Sequence, residues 1–199
     1  RDIIVIANIA GSTVEEYCEI AEKLESSGVH MVELNISCPN VKEGGAAFGT
    51  DCLVAAQVTR EVRKRLSKPL MVKLSPNVTD IASIAAAVEA EGADAISLIN
   101  TLLGMRIDID TGRPILYNNV GGLSGPAVFP VAVRMVWQVA NAVKVPVVGL
   151  GGIASWQNAA EMIAAGASAI QIGAVMFSDP RCPVKILKGL EDYTRRRGL

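Results

Sequence analysis

Six apolar runs, each followed by an amphipathic segment, predict an α/β fold with a parallel sheet buried on both faces. Two architectures satisfy that alternation, a doubly wound open sheet and a (β/α)8 TIM barrel. The barrel is preferred because the unusual residues all fall at strand C-terminal ends: Asn35, Ser37 and Cys38, then Lys73, then Asn100 and Thr101, then Gly151 and Gly152, then Gly173. Only a closed ring points every such end at one shared site. A barrel needs eight units and six are legible, so the expectation is one barrel domain over 1–199 that lacks roughly the first two βα units.

The first strand, 3–10, reads IIVIANIA. Ser12-Thr13 then caps a helix whose apolar positions Val14, Tyr17, Ile20, Ala21 and Leu24 recur at helical spacing until Gly28 ends it. The unit repeats as strand 30–36 with helix 51–66, strand 69–74 with helix 80–91, and strand 94–99 with helix 126–143. Strand 145–150 with helix 155–165, and strand 168–173 with helix 182–196, complete the series. The connection 100–125 is long for a βα loop and carries turn chemistry at Asp110-Thr111-Gly112 and Gly121-Gly122, which marks it as a functional loop.

The 199 residues are half hydrophobic, with 19 basic and 20 acidic side chains and a net charge of -1. That excludes disorder and a small disulfide scaffold, and it offers nucleic acid or anionic lipid no general attraction. The 4 cysteines form no CxxC pair, and no carboxylate or histidine cluster has metal-ligand spacing, so no metal site is expected. No apolar stretch is long enough to span a bilayer, and a cytoplasmic protein without membrane contact is expected.

NISCPN, at 35–40, is the most informative stretch. A strand ends at Asn35-Ile36, and Pro39 blocks helical continuation, holding Cys38 on a turn at the sheet's C-terminal edge. A thiol there can serve as nucleophile or general base, whereas a buried apolar cysteine is the ordinary fate of Cys18, Cys52 and Cys182. The neighbouring Asn35, Ser37 and Asn40 put amides and a hydroxyl on the same loop, costly in a core and useful against a polar ligand. Lys73 interrupts the apolar run LMVKL, so its charge must reach the barrel mouth or meet an anion. Glycine groups at 121–125, 151–153 and 172–173 supply backbone amides, and the last two stand on consecutive final strands, where barrels bind phosphate. His30 lies at the opposite end of its strand, which fits a structural role, and Arg195-Arg196-Arg197 reads as a solvated helix end.

These residues resemble a family. NISCPN (35–40), EGGAAFGTD (43–51), VKLSPN (72–77), NTLLGMRIDIDTGRP (100–114), GGLSGPA (121–127), GLGGI (149–153) and IQIGAVMFSDP (170–180) look like dihydroorotate dehydrogenase across essentially the whole chain. The cysteine and the 100–114 loop resemble the class 1B catalytic subunits. The resemblance implies an FMN enzyme of pyrimidine biosynthesis that oxidises dihydroorotate to orotate, with Cys38 as general base. It implies flavin contacts at Asn35, Lys73, Ile99, Gly125, Gly151, Gly152, Gly173 and Ala174, the last four forming a phosphate cradle. Substrate contacts are implied at Asn35, Asn40, Asn100 and Thr101. Ala174 stands where the family often has threonine.

It also implies a homodimer joined to an FAD and [2Fe-2S] subunit as a heterotetramer that passes electrons to NAD. The sequence itself has neither a cluster-type cysteine array nor a dinucleotide fingerprint, so those cofactors are assigned to the partner. Two alternatives stand beside this reading: an inactive barrel fragment with a binding or assembly role, and a related flavin dihydropyrimidine dehydrogenase. Asn40 and the 100–114 loop favour dihydroorotate over the second.

Overall fold

A computed structural model describes residues 3–37 and 48–198. In chain order the elements are β1 (Ile6–Ile9), α1 (Val14–Glu25), β2 (Met31–Asn35), α2 (Cys52–Arg63), β3 (Leu70–Lys73), α3 (Ile81–Ala90) and β4 (Ala95–Leu98). They continue as β5 (Leu102–Gly104), β6 (Gly121–Leu123), α4 (Phe129–Ala140), β7 (Val147–Gly149), α5 (Trp156–Ala164), β8 (Ala169–Ile170) and α6 (Cys182–Arg197). Short 3-10 turns at Pro126–Val128 and Ala174–Phe177 precede α4 and follow β8.

Four helices start where a side chain supplies the missing acceptor. Thr13, Asp51, Asp80 and Ser155 each take backbone N–H groups of the first turn, which fixes where α1, α2, α3 and α5 begin. The six expected βα units are present, but the ladders are shorter than the apolar runs. Among the described residues β1 pairs only with β2, and Ile6 is already opposite Met31, so residues 3–5 have no described strand beside them. There the chain is held instead by His30, whose backbone N–H donates to the Val5 carbonyl (2.9 Å) and whose Nδ1 accepts the Val5 N–H (3.0 Å). The expected 100–125 loop contains an antiparallel ribbon, β5 with β6, that pairs Leu102 with Leu123 and Gly104 with Gly121.

The main sheet is parallel throughout, in the order β1-β2-β3-β4-β7-β8. Side chains alternate between its faces. Val32, Leu34, Leu70, Val72, Ile96 and Leu98, all fully buried, lie on one face with Val58, Val62, Ala85, Val88, Val136 and Val139 of the helices in one core. The alternate positions carry the polar residues: Glu33 registers with Met71 and Met71 with Ala95, while Asn35 registers with Lys73 and Lys73 with Ser97.

On that second face the sheet curls. β2 and β8 have β3, β4 and β7 between them, about 19 Å if the sheet were flat. Yet Gln171, the residue following β8, donates from Nε2 to Glu33 Oε1 on β2 at 2.8 Å. Ser97 Oγ on β4 donates to the same oxygen at 2.7 Å, and Asn8 Nδ2 on β1 donates to Oε2 at 2.5 Å. Four strands thus meet on one carboxylate, which requires a barrel-like interior. Glu33 is 6% exposed and has no cation within ion-pair distance among the described residues, so these donors offset the cost of burying it.

Candidate active site

A cavity of about 540 Å³ opens at the C-terminal ends of the strands. Lys73 enters it from β3. Ile99, Asn100 and Thr101 follow β4, where the Leu98–Ile99 peptide is cis. Gly125 comes from the loop after β6, Gly151 and Gly152 from the turn after β7, and Gly173 and Ala174 from the turn after β8. Asn35 is not on the cavity wall; it stands beside Lys73 in register and reaches the site through Asn100. Cys38 and Asn40 lie outside the described residues.

The end of β2 is fixed from two sides. The buried Tyr17 on α1 donates its hydroxyl to the Asn35 carbonyl at 2.8 Å, and its ring meets Phe48 edge-on at 5.9 Å between centroids. Gly49 lies so close to the Ile36 carbonyl that a Cβ there would collide with it. Within the turn, Asn35 Oδ1 accepts the Ser37 N–H (3.2 Å), the Ser37 hydroxyl (2.8 Å) and Asn100 Nδ2 (3.2 Å). Asn100 Nδ2 also donates to Ser37 Oγ (2.8 Å), and Asn100 Oδ1 accepts the Thr101 N–H (2.8 Å).

The loop beyond is held by Asn77. Its Nδ2 donates to the Thr101 carbonyl at 3.0 Å and its Oδ1 accepts the Leu103 N–H at 2.9 Å, which delivers the chain into β5. Gly122 on β6 has no room for a side chain because Thr101 occupies that space.

The glycines divide into two kinds. Gly151 (φ +125) and Gly152 (φ +76) have backbones that L side chains rarely adopt. A Cβ on Gly152 would come 2.6 Å from the Gly125 carbonyl, and one on Gly151 would come 2.8 Å from the Ala132 Cβ. Gly125 shares the positive φ (+87) but, like Gly173, has nothing within 4 Å of where a Cβ would stand. The N–H groups of Gly151, Gly152, Gly173 and Ala174 make no hydrogen bond with any described residue. Lys73 likewise makes no hydrogen bond or ion pair among the described residues. The cavity thus presents four free amides and a free ammonium, groups of the kind that can receive an anion.

The family model for dihydroorotate dehydrogenase matches residues 1–193. The chain belongs to the dihydroorotate dehydrogenase family. It is 57% identical over 195 residues to the protein named dihydroorotate dehydrogenase B (NAD(+)), catalytic subunit, of Parabacteroides distasonis, covering 98% of this chain and 64% of that one. It is 56% identical over 192 residues to the protein of the same name from Alkaliphilus oremlandii, covering 96% and 64%. The chain thus spans 64% of the length of these curated relatives. The crystal structure of the Eimeria tenella enzyme in complex with ferulenol superposes with a TM-score of 0.81 at 21% identity, over 100% of this chain and 60% of that one. At that identity the likeness speaks for the fold, a partial (β/α)8 barrel.

Among the described residues of this family member no helix is long and apolar enough to cross a membrane, and no group of three or more His, Cys, Asp or Glu could hold a metal. Burial pushes the Cys18 thiol up, away from the thiolate a nucleophile needs. Cys182 is buried with its Sγ 3.5 Å from the Ala154 carbonyl. Arg196 lies over the Trp156 ring at 5.8 Å and Arg197 over Tyr193 at 5.8 Å, so the basic helix end covers aromatic surface as well as facing solvent.

Residue-by-residue reading of the sequence passed over Glu33, Gln171 and Asn77. A carboxylate and an amide in two strands expected to be buried were the available signal, because buried polar groups must find each other. Asn77 gave none, since beyond the Ser75 hydroxyl two residues away its partners are backbone groups of a distant loop.

Proposed function

We propose that the chain is the FMN-binding catalytic part of a dihydroorotate dehydrogenase that oxidises dihydroorotate to orotate in pyrimidine biosynthesis. The observation that carries the reading is the cavity, where a free lysine ammonium, four free backbone amides and the Asn100-Thr101 turn converge at the strand ends. These residues suit FMN. The amides of Gly151, Gly152, Gly173 and Ala174 would take its phosphate, and the open space above Gly173 and Gly125 admits the group to the backbone. Lys73 would meet the electron-rich edge of the ring with Ile99 against its apolar surface.

FMN, when bound, supplies the acceptor for the hydride that leaves C6 of the substrate. Cys38 takes the proton from C5 as general base. Asn35, Asn40, Asn100 and Thr101 hold the substrate ring and carboxylate by hydrogen bonds. Lys73 keeps a fixed positive charge where negative charge gathers during the reaction. The relatives' printed name, dihydroorotate dehydrogenase B (NAD(+)), catalytic subunit, supports a partner subunit. On this reading the partner carries FAD and an iron-sulfur cluster, and the assembly is a heterotetramer built on a homodimer in the cytoplasm.

The test is an absorbance spectrum of the FMN-loaded protein followed by anaerobic addition of dihydroorotate. Bleaching of the visible flavin bands is expected, slowed roughly 10²-fold or more at neutral pH in Cys38→Ser. Flavin that binds and stays oxidised with dihydroorotate would overturn the substrate, and Cys38→Ser reduced at the parent rate would overturn the base.

A further inference from the structure

Two side-chain amides border the cavity, Asn100 and Gln171, and the proposed reaction accounts only for the first. Gln171 is half-buried, and its Nε2 donates to Glu33 Oε1 at 2.8 Å. A carboxylate accepts hydrogen bonds and donates none, so the nitrogen end of the amide is the end that faces Glu33. The oxygen end is turned away from that contact. Oε1 has no partner among the described residues, and no buried side-chain oxygen among them lacks one, so this oxygen is open rather than sealed in the core. The open space that Gln171 borders is the cavity. A wall rich in free donors thus carries a free acceptor.

Glu33 also decides where this acceptor stands. Its Oε1 takes the Ser97 hydroxyl at 2.7 Å as well as the Gln171 amide, so the two donors are neighbours on one atom. Ser97 on β4 is the register partner of Lys73 on β3. The amide that follows β8 is therefore drawn across to the strand position from which Lys73 enters the cavity. An ammonium and a carboxamide oxygen arriving at one part of a cavity suit a ligand edge that has a carbonyl next to an N–H. The phosphate and ribityl parts of FMN have no N–H, whereas its oxidised ring has a single one, N3–H, set between two carbonyls.

We propose that Gln171 is a flavin contact, its Oε1 accepting the ring N3–H beside the carbonyl that meets Lys73, and that Glu33 is the positioning residue that holds this amide with its oxygen toward the ligand. The proposal rests on FMN being the ligand, and it adds the residue that tells a ring with this N–H from a ring without it. Glu33 touches no part of the ligand; it acts through Gln171.

The experiment is a fluorescence titration of the flavin-free full chain with FMN and with 3-methyl-FMN, in which a methyl group replaces that one hydrogen. Wild type should bind FMN about tenfold more tightly than the methylated flavin, the worth of one hydrogen bond. In Gln171→Leu, similar in size and without an acceptor, FMN should weaken about tenfold and the two flavins should bind alike. Glu33→Gln keeps the shape but leaves the Gln171 amide free to turn, and should lower the preference to about threefold or less. A merely structural role would weaken both flavins equally and leave the preference intact. Equal affinities in wild type, or a preserved preference in Gln171→Leu, would therefore overturn the proposal, and a full preference in Glu33→Gln would overturn the part given to Glu33.

If Gln171→Leu fails to fold, NMR of ¹⁵N-labelled FMN bound to wild type and to Glu33→Gln decides. The N3–H should exchange with water about tenfold more slowly on wild type than in free FMN, and faster again on Glu33→Gln. Exchange on wild type as fast as in free FMN would overturn the contact. FMN that does not bind wild type at all would overturn the flavin reading along with this proposal, whereas FMN that binds without preference over the methylated ring would remove the Gln171 contact alone.

Discussion

Replacing Glu33 with alanine removes the one group that ties β1, β2, β4 and the end of β8 together across the sheet interior. Each hydrogen bond to a charged group contributes roughly 1.5–3 kcal/mol. The Asn8 bond sits on an exposed residue and counts for little, which leaves those from the fully buried Ser97 and the half-buried Gln171. Ser97 would also keep a buried hydroxyl with one partner fewer. The loss comes to about 3–5 kcal/mol. At about 2–4 °C per kcal/mol for a chain of this size, thermal unfolding followed by circular dichroism should occur about 10 °C lower. Glu33→Gln keeps the shape and one acceptor but turns the other oxygen into a donor facing donors, so about 1–2 kcal/mol is expected. FMN should also bind more weakly to Glu33→Ala, because Gln171 is on the cavity wall and loses the partner that orients it. An alanine variant melting within about 2 °C of the parent would refute the reasoning, since the curl would then need no interior hub.

Lys73→Met should weaken FMN by roughly tenfold to a hundredfold in a fluorescence titration, the worth of one charge-assisted contact, while leaving the unfolding midpoint of the FMN-free protein nearly unchanged. Gly152→Ala should destabilise by about 2–4 kcal/mol in urea, from its positive φ and the Gly125 carbonyl together, whereas Gly173→Ala should fold normally and lose FMN affinity. Asp80 caps α3, and hydrogen bonds from the Ser83 side chain, then the Ser83 and Ala82 amides, hold its carboxyl below the usual range. Because the folded value is the lower one, the stabilisation is complete above the unfolded value near 3.9 and disappears as pH falls through the folded value. The gap in unfolding midpoint between parent and Asp80→Ala should therefore be constant from about pH 7 to 5 and shrink below about pH 4.

The units of the fold were legible because each strand is a largely apolar run and the helices keep helical apolar spacing, with the cap of α1 visible at Ser12-Thr13. Boundaries were not. β1 is short because pairing needs a neighbour, and β2 has none to offer residues 3–5. The β5-β6 ribbon escaped because Leu102–Gly104 and Gly121–Leu123 are three residues each, too short for periodicity to register. At the site, a lysine within an apolar strand and glycines after two consecutive strands were strong signals, since each departs from what a buried strand requires. The sequence could not separate Gly152, which is small because the Gly125 carbonyl leaves no room, from Gly173, which is small beside open space. That difference is made by residues from another unit of the barrel.

The polar groups around the cavity divide unevenly, and the imbalance argues for the kind of ligand. Several side-chain acceptors nearby are already engaged: Glu33 by three side-chain donors, Asn35 Oδ1 by another three, and one lone pair of Asn100 Oδ1 by the Thr101 amide. Donors on the cavity wall are open, because Lys73 and the amides of Gly151, Gly152, Gly173 and Ala174 have no partner among the described residues. Burying several donors without acceptors costs about 1–3 kcal/mol each, so such a surface is stable only while wet or while an acceptor-rich ligand covers it. Its apolar remainder, with Ile99, Leu123, Leu150 and Ile153, suits a flat ring and repels a freely hydrated ion such as bare phosphate. A planar anion with oxygens along one edge and a phosphate at the far end meets both demands at once. Inorganic phosphate at the concentration that saturates FMN should accordingly leave the cavity's unfolding signature unmoved, and a phosphate shift as large as that from FMN would mean that the glycine cradle alone, without the strand-end donors, accounts for binding.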